Sequence, residues 1–162
     1  QGSIQPWNVR ALASSADGKS LAAVTAYLGA NDGAILTSRD GFASVATARS
    51  GRPYNGIAVS ADFTRLAAAS GANTSLSAPL TGNVYTSTNS GLFWLPRESA
   101  RDWQAIAASA DGGKRAAVVF NGRIYTSSIT TLSGGPFSMV ELVYAGDGLW
   151  QVIGQSGALV SP

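Results

Sequence analysis

The sequence predicts an all-β chain in which one small antiparallel sheet is used about four times. Nineteen glycines and six prolines interrupt its 162 residues too often for long helices. A seven-residue pattern ending in Asp recurs as ALASSAD (11–17), GIAVSAD (56–62), AIAASAD (105–111) and, more weakly, ELVYAGD (141–147). A second landmark follows each copy in order: GAILTS (33–38), GNVYTS (82–87), GRIYTS (122–127) and GALVSP (157–162).

The first segment of each unit reads as a short strand of small and branched residues. Asp-Gly follows it at Asp17-Gly18, Asp111-Gly112 and Asp147-Gly148, and supplies the positive φ of a tight turn. Phe63 stands where the second unit would have that glycine, so a different or longer turn is expected there. A second strand covers SLAAVTAY, RLAAAS, KRAAVVF or LWQVIG, and the Gly-x-Ile-Tyr-Thr-Ser landmark is the third. A fourth is expected at FASVATA in unit one and LFWLP in unit two. Both faces of such strands carry apolar residues, which suits sheets stacked on both sides.

After the third strand of unit two the chain reads Ser87-x-Asn89-x-Gly91-x-x-Trp94. This resembles the Asp-box, or BNR, hairpin of β-propeller repeat proteins, with Asn89 in the place of Asp. Asn89 keeps the acceptor oxygen that caps turn amides and loses the charge. Unit one keeps Ser38 and Asp40 without the later Gly and Trp, and unit three has lost the motif. The whole pattern is similar to the propeller repeats of photosystem II assembly factors and of secreted repeat proteins. The resemblance implies a small β-propeller of about four blades, and an extracellular or cell-surface setting.

Residues 1–3 read as a tag remnant, and 4–162 as one repeat domain. Its units are about 9–51, 52–101, 102–137 and 138–162, the last completed by 4–8. The N-terminal segment would then supply the missing outer strand of the last blade and close the ring. An open arc of a larger propeller, a ring completed by oligomerisation, and a β-sandwich are the alternatives. Thr130–Pro136 looks turn-like, so unit three is expected to lack its outer strand.

Composition removes much chemistry. Cys and His are both absent, which excludes disulfides, thiol nucleophiles, imidazole metal sites and Ser-His-Asp triads. A net charge of +2 with no basic cluster beyond Arg49 and Arg52 gives no footprint for nucleic acid. No apolar run reaches the ~20 residues of a membrane helix. No cofactor-binding loop is present, and no set of oxygens marks a metal site.

Asp17, Asp62, Asp111 and Asp147 recur once per unit, which points to turn capping. Ser38, Asp40, Ser87, Asn89, Gly91 and Trp94 belong to the box hairpins. Trp7 and Trp103 fall at one repeat position and read as packing between sheets. Asp32, Glu98 and Asp102, the last two in the charged stretch ESARD that reads as a solvated loop entering unit three, and Glu141 remain as free acids. Trp150, off the repeat register, is a candidate platform for stacking on a sugar ring. The expected function is non-enzymatic: a binding or scaffolding module for a glycan or protein partner. A glycoside hydrolase using Glu98, Asp102 or Glu141 is the second reading, and a structural segment of a larger extracellular protein the third. Sialidases share the box, but their active-site motif is missing.

Overall fold

In the computed structural model, residues 8–26, 33–71 and 81–127 are described in full, with strand backbones alone beyond them. The chain divides into two compact units, 1–127 and 128–162. The first unit holds three antiparallel sheets in chain order. Sheet one comprises β1 (Val9–Ser14), β2 (Leu21–Thr25), β3 (Ala34–Ser38) and β4 (Ala46–Ser50). Sheet two comprises β5 (Tyr54–Val59), β6 (Leu66–Ser70), β7 (Gly82–Ser87) and β8 (Leu95–Arg101). Sheet three has β9 (Trp103–Ala108), β10 (Lys114–Val119) and β11 (Ile124–Ser128), with no fourth strand among the described residues. The second unit holds a hairpin of β13 (Met139–Gly146) and β14 (Leu149–Ser156), and a short pair of β12 (Ser133–Gly134) and β15 (Leu159–Val160). Of the landmark at 157–162, Leu159–Val160 pair with β12 rather than with β14.

The three first strands lie side by side, β5 between β1 and β9, so sheet two is covered on both faces. Ala22, Val24 and Ile35 of sheet one pack against Tyr54, Ile57, Leu66, Ala68 and Tyr85 of sheet two. On its other face Ala69 and Val84 meet Trp103 and Ala117 of sheet three. Alanines recur because two sheets must approach closely along their whole length.

Each of these three first strands ends in one and the same Ser-x-Asp turn. In sheet one Ser15 Oγ donates to Asp17 Oδ1 (2.6 Å) and accepts from the Ser20 amide (3.0 Å), while the Lys19 amide donates to Asp17 (3.1 Å). Ser60, Asp62, Thr64 and Arg65 repeat these bonds, as do Ser109, Asp111, Gly113 and Lys114. The expectation of a different turn at Phe63 is corrected. Its φ of 60° matches those of Gly18 (70°) and Gly112 (68°), and the same bonds close around it. Burial of the ring offsets the left-handed strain, since Phe63 is 1% exposed in the core between sheets one and two. The turns also join sheet to sheet: the Ala16 amide donates to the Ala61 carbonyl (2.9 Å), and the Ala61 amide to the Ala110 carbonyl (2.6 Å).

These carboxylates are exposed and hydrogen-bonded in their ionised form. Ser60 and Thr64 hold Asp62 at about 2, and Ser44 with Ser38 does the same for Asp40. Asp17 and Asp111 are lowered likewise, chiefly by Ser15 and Ser109. A folded pKa below the unfolded value adds stability above that value and loses it as pH falls through the folded one. Melting temperature should therefore drop between about pH 4 and pH 2, and Asp62→Asn should flatten that drop in a pH series of thermal melts.

The glycine opening the third-strand landmark is fixed by space rather than by φ. A Cβ on Gly82 would sit 2.5 Å from the Ser70 carbonyl oxygen and 2.6 Å from its carbon. Gly33 faces the Thr25 carbonyl and Gly122 the Val119 side chain at the equivalent places. Gly82→Ala should cost about 1–3 kcal/mol in urea unfolding, because backbone must move.

Candidate functional site

The two box hairpins share one set of bonds. Ser38 Oγ donates to Asp40 (2.8 Å) and accepts from the Phe42 amide (2.8 Å), and the Ser44 amide donates to Asp40 (2.8 Å). Ser87 Oγ likewise donates to Asn89 (2.9 Å) and accepts from the Gly91 amide (2.9 Å), while Phe93 donates to Asn89 (2.9 Å). Phe42 takes the place of Gly91 at φ 69°. Trp94 is buried and its indole N–H donates to the Gly91 carbonyl (2.9 Å). All six box residues thus hold the hairpins together. Because these bonds keep Phe42–Val45 and Leu92–Trp94 in the turns, the fourth strands begin later than expected, at Ala46 and Leu95.

That shift moves Glu98. The charged stretch expected as a loop is the end of β8, where residues 98–100 bulge opposite Asn83, between the pairs Gly82–Arg101 and Val84–Arg97. Glu98 is exposed, has φ 59°, and its carbonyl accepts from the Asn83 side chain (2.8 Å). Asp102 is half-buried at the handover from β8 to β9 and accepts from Gln104 Nε2 (2.6 Å). Its carbonyl accepts from the Phe120 amide (3.0 Å). The two acids therefore sit at the same end of sheet two in different surroundings, one in solvent and one bonded into the handover.

Glu141 is a backbone partner of Gly154, and Trp150 of Tyr144, in the β13–β14 hairpin. Their side chains, Asp32, Asp147, Trp7 and residues 4–7 lie outside the described residues. Asn8 is described, and its carbonyl accepts from Ala26 (3.0 Å), continuing the β1–β2 pairing of sheet one.

At these handovers the structure shows a device not foreseen from sequence. Arg49, closing β4, lies over the Tyr85 ring of sheet two (4.2 Å), and Tyr85 meets Tyr54 edge to face (6.0 Å). Arg101, closing β8, lies over Tyr125 of sheet three (4.7 Å), which meets Trp103 edge to face (5.1 Å). Burial pushes the Tyr54 phenol up to about 12, against the pull of the Arg49 charge beside it. The signal was present as an Arg shortly before the aromatic that opens each next sheet. Among the described residues no three acidic side chains gather as a metal site, and no helix is long and apolar enough to cross a membrane.

This arrangement of successive antiparallel sheets is an all-β, β-propeller-like fold. It is similar to a GH74 enzyme of Niastella koreensis, with a TM-score of 0.54 at 18% identity, covering 91% of this chain and 22% of that one. It is also similar to the GH74 xyloglucanase of Xanthomonas campestris, with a TM-score of 0.56 at 14% identity, covering 93% and 22%. The chain thus spans about a fifth of the length of those enzymes, and the likeness is one of fold. No protein-family model matches the sequence, and no curated protein matches it.

Proposed function

We propose that the chain forms blades of a β-propeller that recognises a glycan, and that its described residues bind the ligand without cleaving it. The observation that carries this reading is the use made of the carboxylates. Asp17, Asp40, Asp62 and Asp111 each accept bonds from a serine hydroxyl and a turn amide and are held ionised, so none serves as a protonated acid. Glycoside hydrolysis needs two carboxyl groups across one cleft, one of them a proton donor. The two hairpins read as Asp-boxes, and a glycan partner would set the protein outside the cell or at its surface. A protein partner is accommodated by the same loops.

The second reading, a glycoside hydrolase, is favoured by the two GH74 enzymes of similar fold. In that reading Glu98, Asp102 or Glu141 would carry the reaction. The test is a panel of neutral and charged polysaccharides, xyloglucan included, scored for both binding and new reducing ends. Binding without cleavage, retained in Glu98→Gln and Asp102→Asn, supports recognition. Reducing ends that disappear in either variant establish hydrolysis.

A further inference from the structure

The interface between sheets two and three differs from that between sheets one and two at one end, where three arginines replace small and apolar residues. Shared turn bonds and first-pair registers put Arg65 where sheet one has Ser20 and Arg115 where sheet two has Leu66, and Arg97 follows the box serine Ser87 at the same distance in sequence as Ala48 follows Ser38. In the first interface Ala48 and Leu66 are neighbours, each 3.8 Å from the Cβ position of Gly91. Their counterparts Arg97 and Arg115 are close enough for the Arg97 charge to act on Arg115. Arg97 is the cross-strand partner of Val84, which faces sheet three. Arg115 lies two residues before Ala117, which faces sheet two, so both arginines lie on the facing sides of these two sheets, Arg115 half-buried and Arg97 exposed with its Nε donating to Thr86 Oγ1 (3.4 Å). The stem of Arg65 crosses Gly112 of the third sheet's turn, within 3.2 Å of where its Cβ would be, and so reaches the same place.

Three like charges at one end of an interface repel, and burial of a cation without a partner costs more still. This end shows both effects, since burial and the charges of Arg65 and Arg97 lower the pKa of the half-buried Arg115. Asp111, the acid beside Arg65, is a single charge already bonded to the Ser109 hydroxyl and the Gly113 amide. Three fork-shaped donors from three elements match the several oxygens of a tetrahedral anion.

We propose that Arg65, Arg97 and Arg115 form a binding site for a doubly charged oxyanion of the sulfate or phosphate type, free or carried as an ester. The site is independent of the glycan reading, which rests on the use made of the carboxylates and needs none of these charges.

The test is thermal melting of the whole chain in sodium sulfate against sodium chloride of equal ionic strength, and in dextran sulfate against dextran. Arg115→Leu and Arg97→Ala each install what the repeat carries at the equivalent place, and Arg123→Ala, on the exposed side of sheet three, is the control for charge alone. The expected result is sulfate-specific stabilisation in the wild type and Arg123→Ala. Its midpoint should move to at least tenfold higher concentration in Arg115→Leu and Arg97→Ala. A response to sodium sulfate identifies the free ion, and one confined to dextran sulfate identifies the ester. Equal response of all four proteins, or no difference between sulfate and chloride and between the two dextrans, overturns the proposal. Retained binding of a neutral glycan by Arg115→Leu would separate this site from the glycan site.

Discussion

Phe63→Ala should lose about 3–5 kcal/mol of unfolding free energy, and Phe63→Gly should be the milder of the two by about 1 kcal/mol. The order inverts the usual one, in which glycine is the more costly replacement. Its cause is the backbone: at φ 60° alanine keeps the left-handed strain after the ring that offsets it has gone, whereas glycine removes both. The lost ring vacates the core between sheets one and two, where it lies against Leu66 and Trp94 among others, with Arg39 above it at 5.7 Å. Urea unfolding of the two variants measures the difference directly. Equal stability, or alanine the milder, would show that Phe63 does not bear the strain assigned to it.

Trp103→Ala is expected to cost about as much, about 3–5 kcal/mol, by a different route. Trp103 is 0% exposed and joins Ala69 and Val84 of sheet two to Ala117 of its own sheet, with Tyr125 at its edge. It is the largest fully buried side chain among those described, and its indole N–H donates to the Ser99 carbonyl (3.3 Å). Trp103→Phe should recover most of the loss, since packing outweighs one hydrogen bond. Near-ultraviolet circular dichroism would follow the packing and denaturant midpoints the energy. A loss below about 1 kcal/mol would mean that sheet three is not anchored through this residue.

Much of this architecture was legible in the chain because turn chemistry is local. A serine two residues before an aspartate can be read as a capped turn, and the structure closes that turn three times. The glycine opening the third-strand landmark is visible as a repeat, though its reason, the crossing carbonyl of the strand before at Gly33 and Gly82 and the Val119 side chain at Gly122, depends on contacts that only folding creates. Phe63 misled for the same reason, because its core partners Ala22, Val24 and Ile35 are distant in sequence. The charge of the stretch around Glu98 suggests solvent and hence a loop. Glu98 is exposed, but on a bulged strand, and bulges arise from how two strands fit rather than from either one alone. Arg49 and Arg101 stand shortly before Tyr54 and Trp103 in sequence, but the rings they cover, Tyr85 and Tyr125, come to them only through the fold. The arginines of the second interface are spread over about fifty residues and converge only when the sheets are stacked.

The bonds from Ala16 to Ala61 and from Ala61 to Ala110 all run one way, amide to the following sheet's carbonyl. The series therefore has a donor sense and an acceptor sense, like a polymer with distinguishable ends. A sheet added through this contact must present a carbonyl to the Ala110 side or an amide to the Ala16 side, and cannot be turned over. Two copies meeting there would join head to tail and never face to face about a two-fold axis. Vectorial joining of this kind leads to rings or to open filaments, and the rotation from one sheet to the next decides between them.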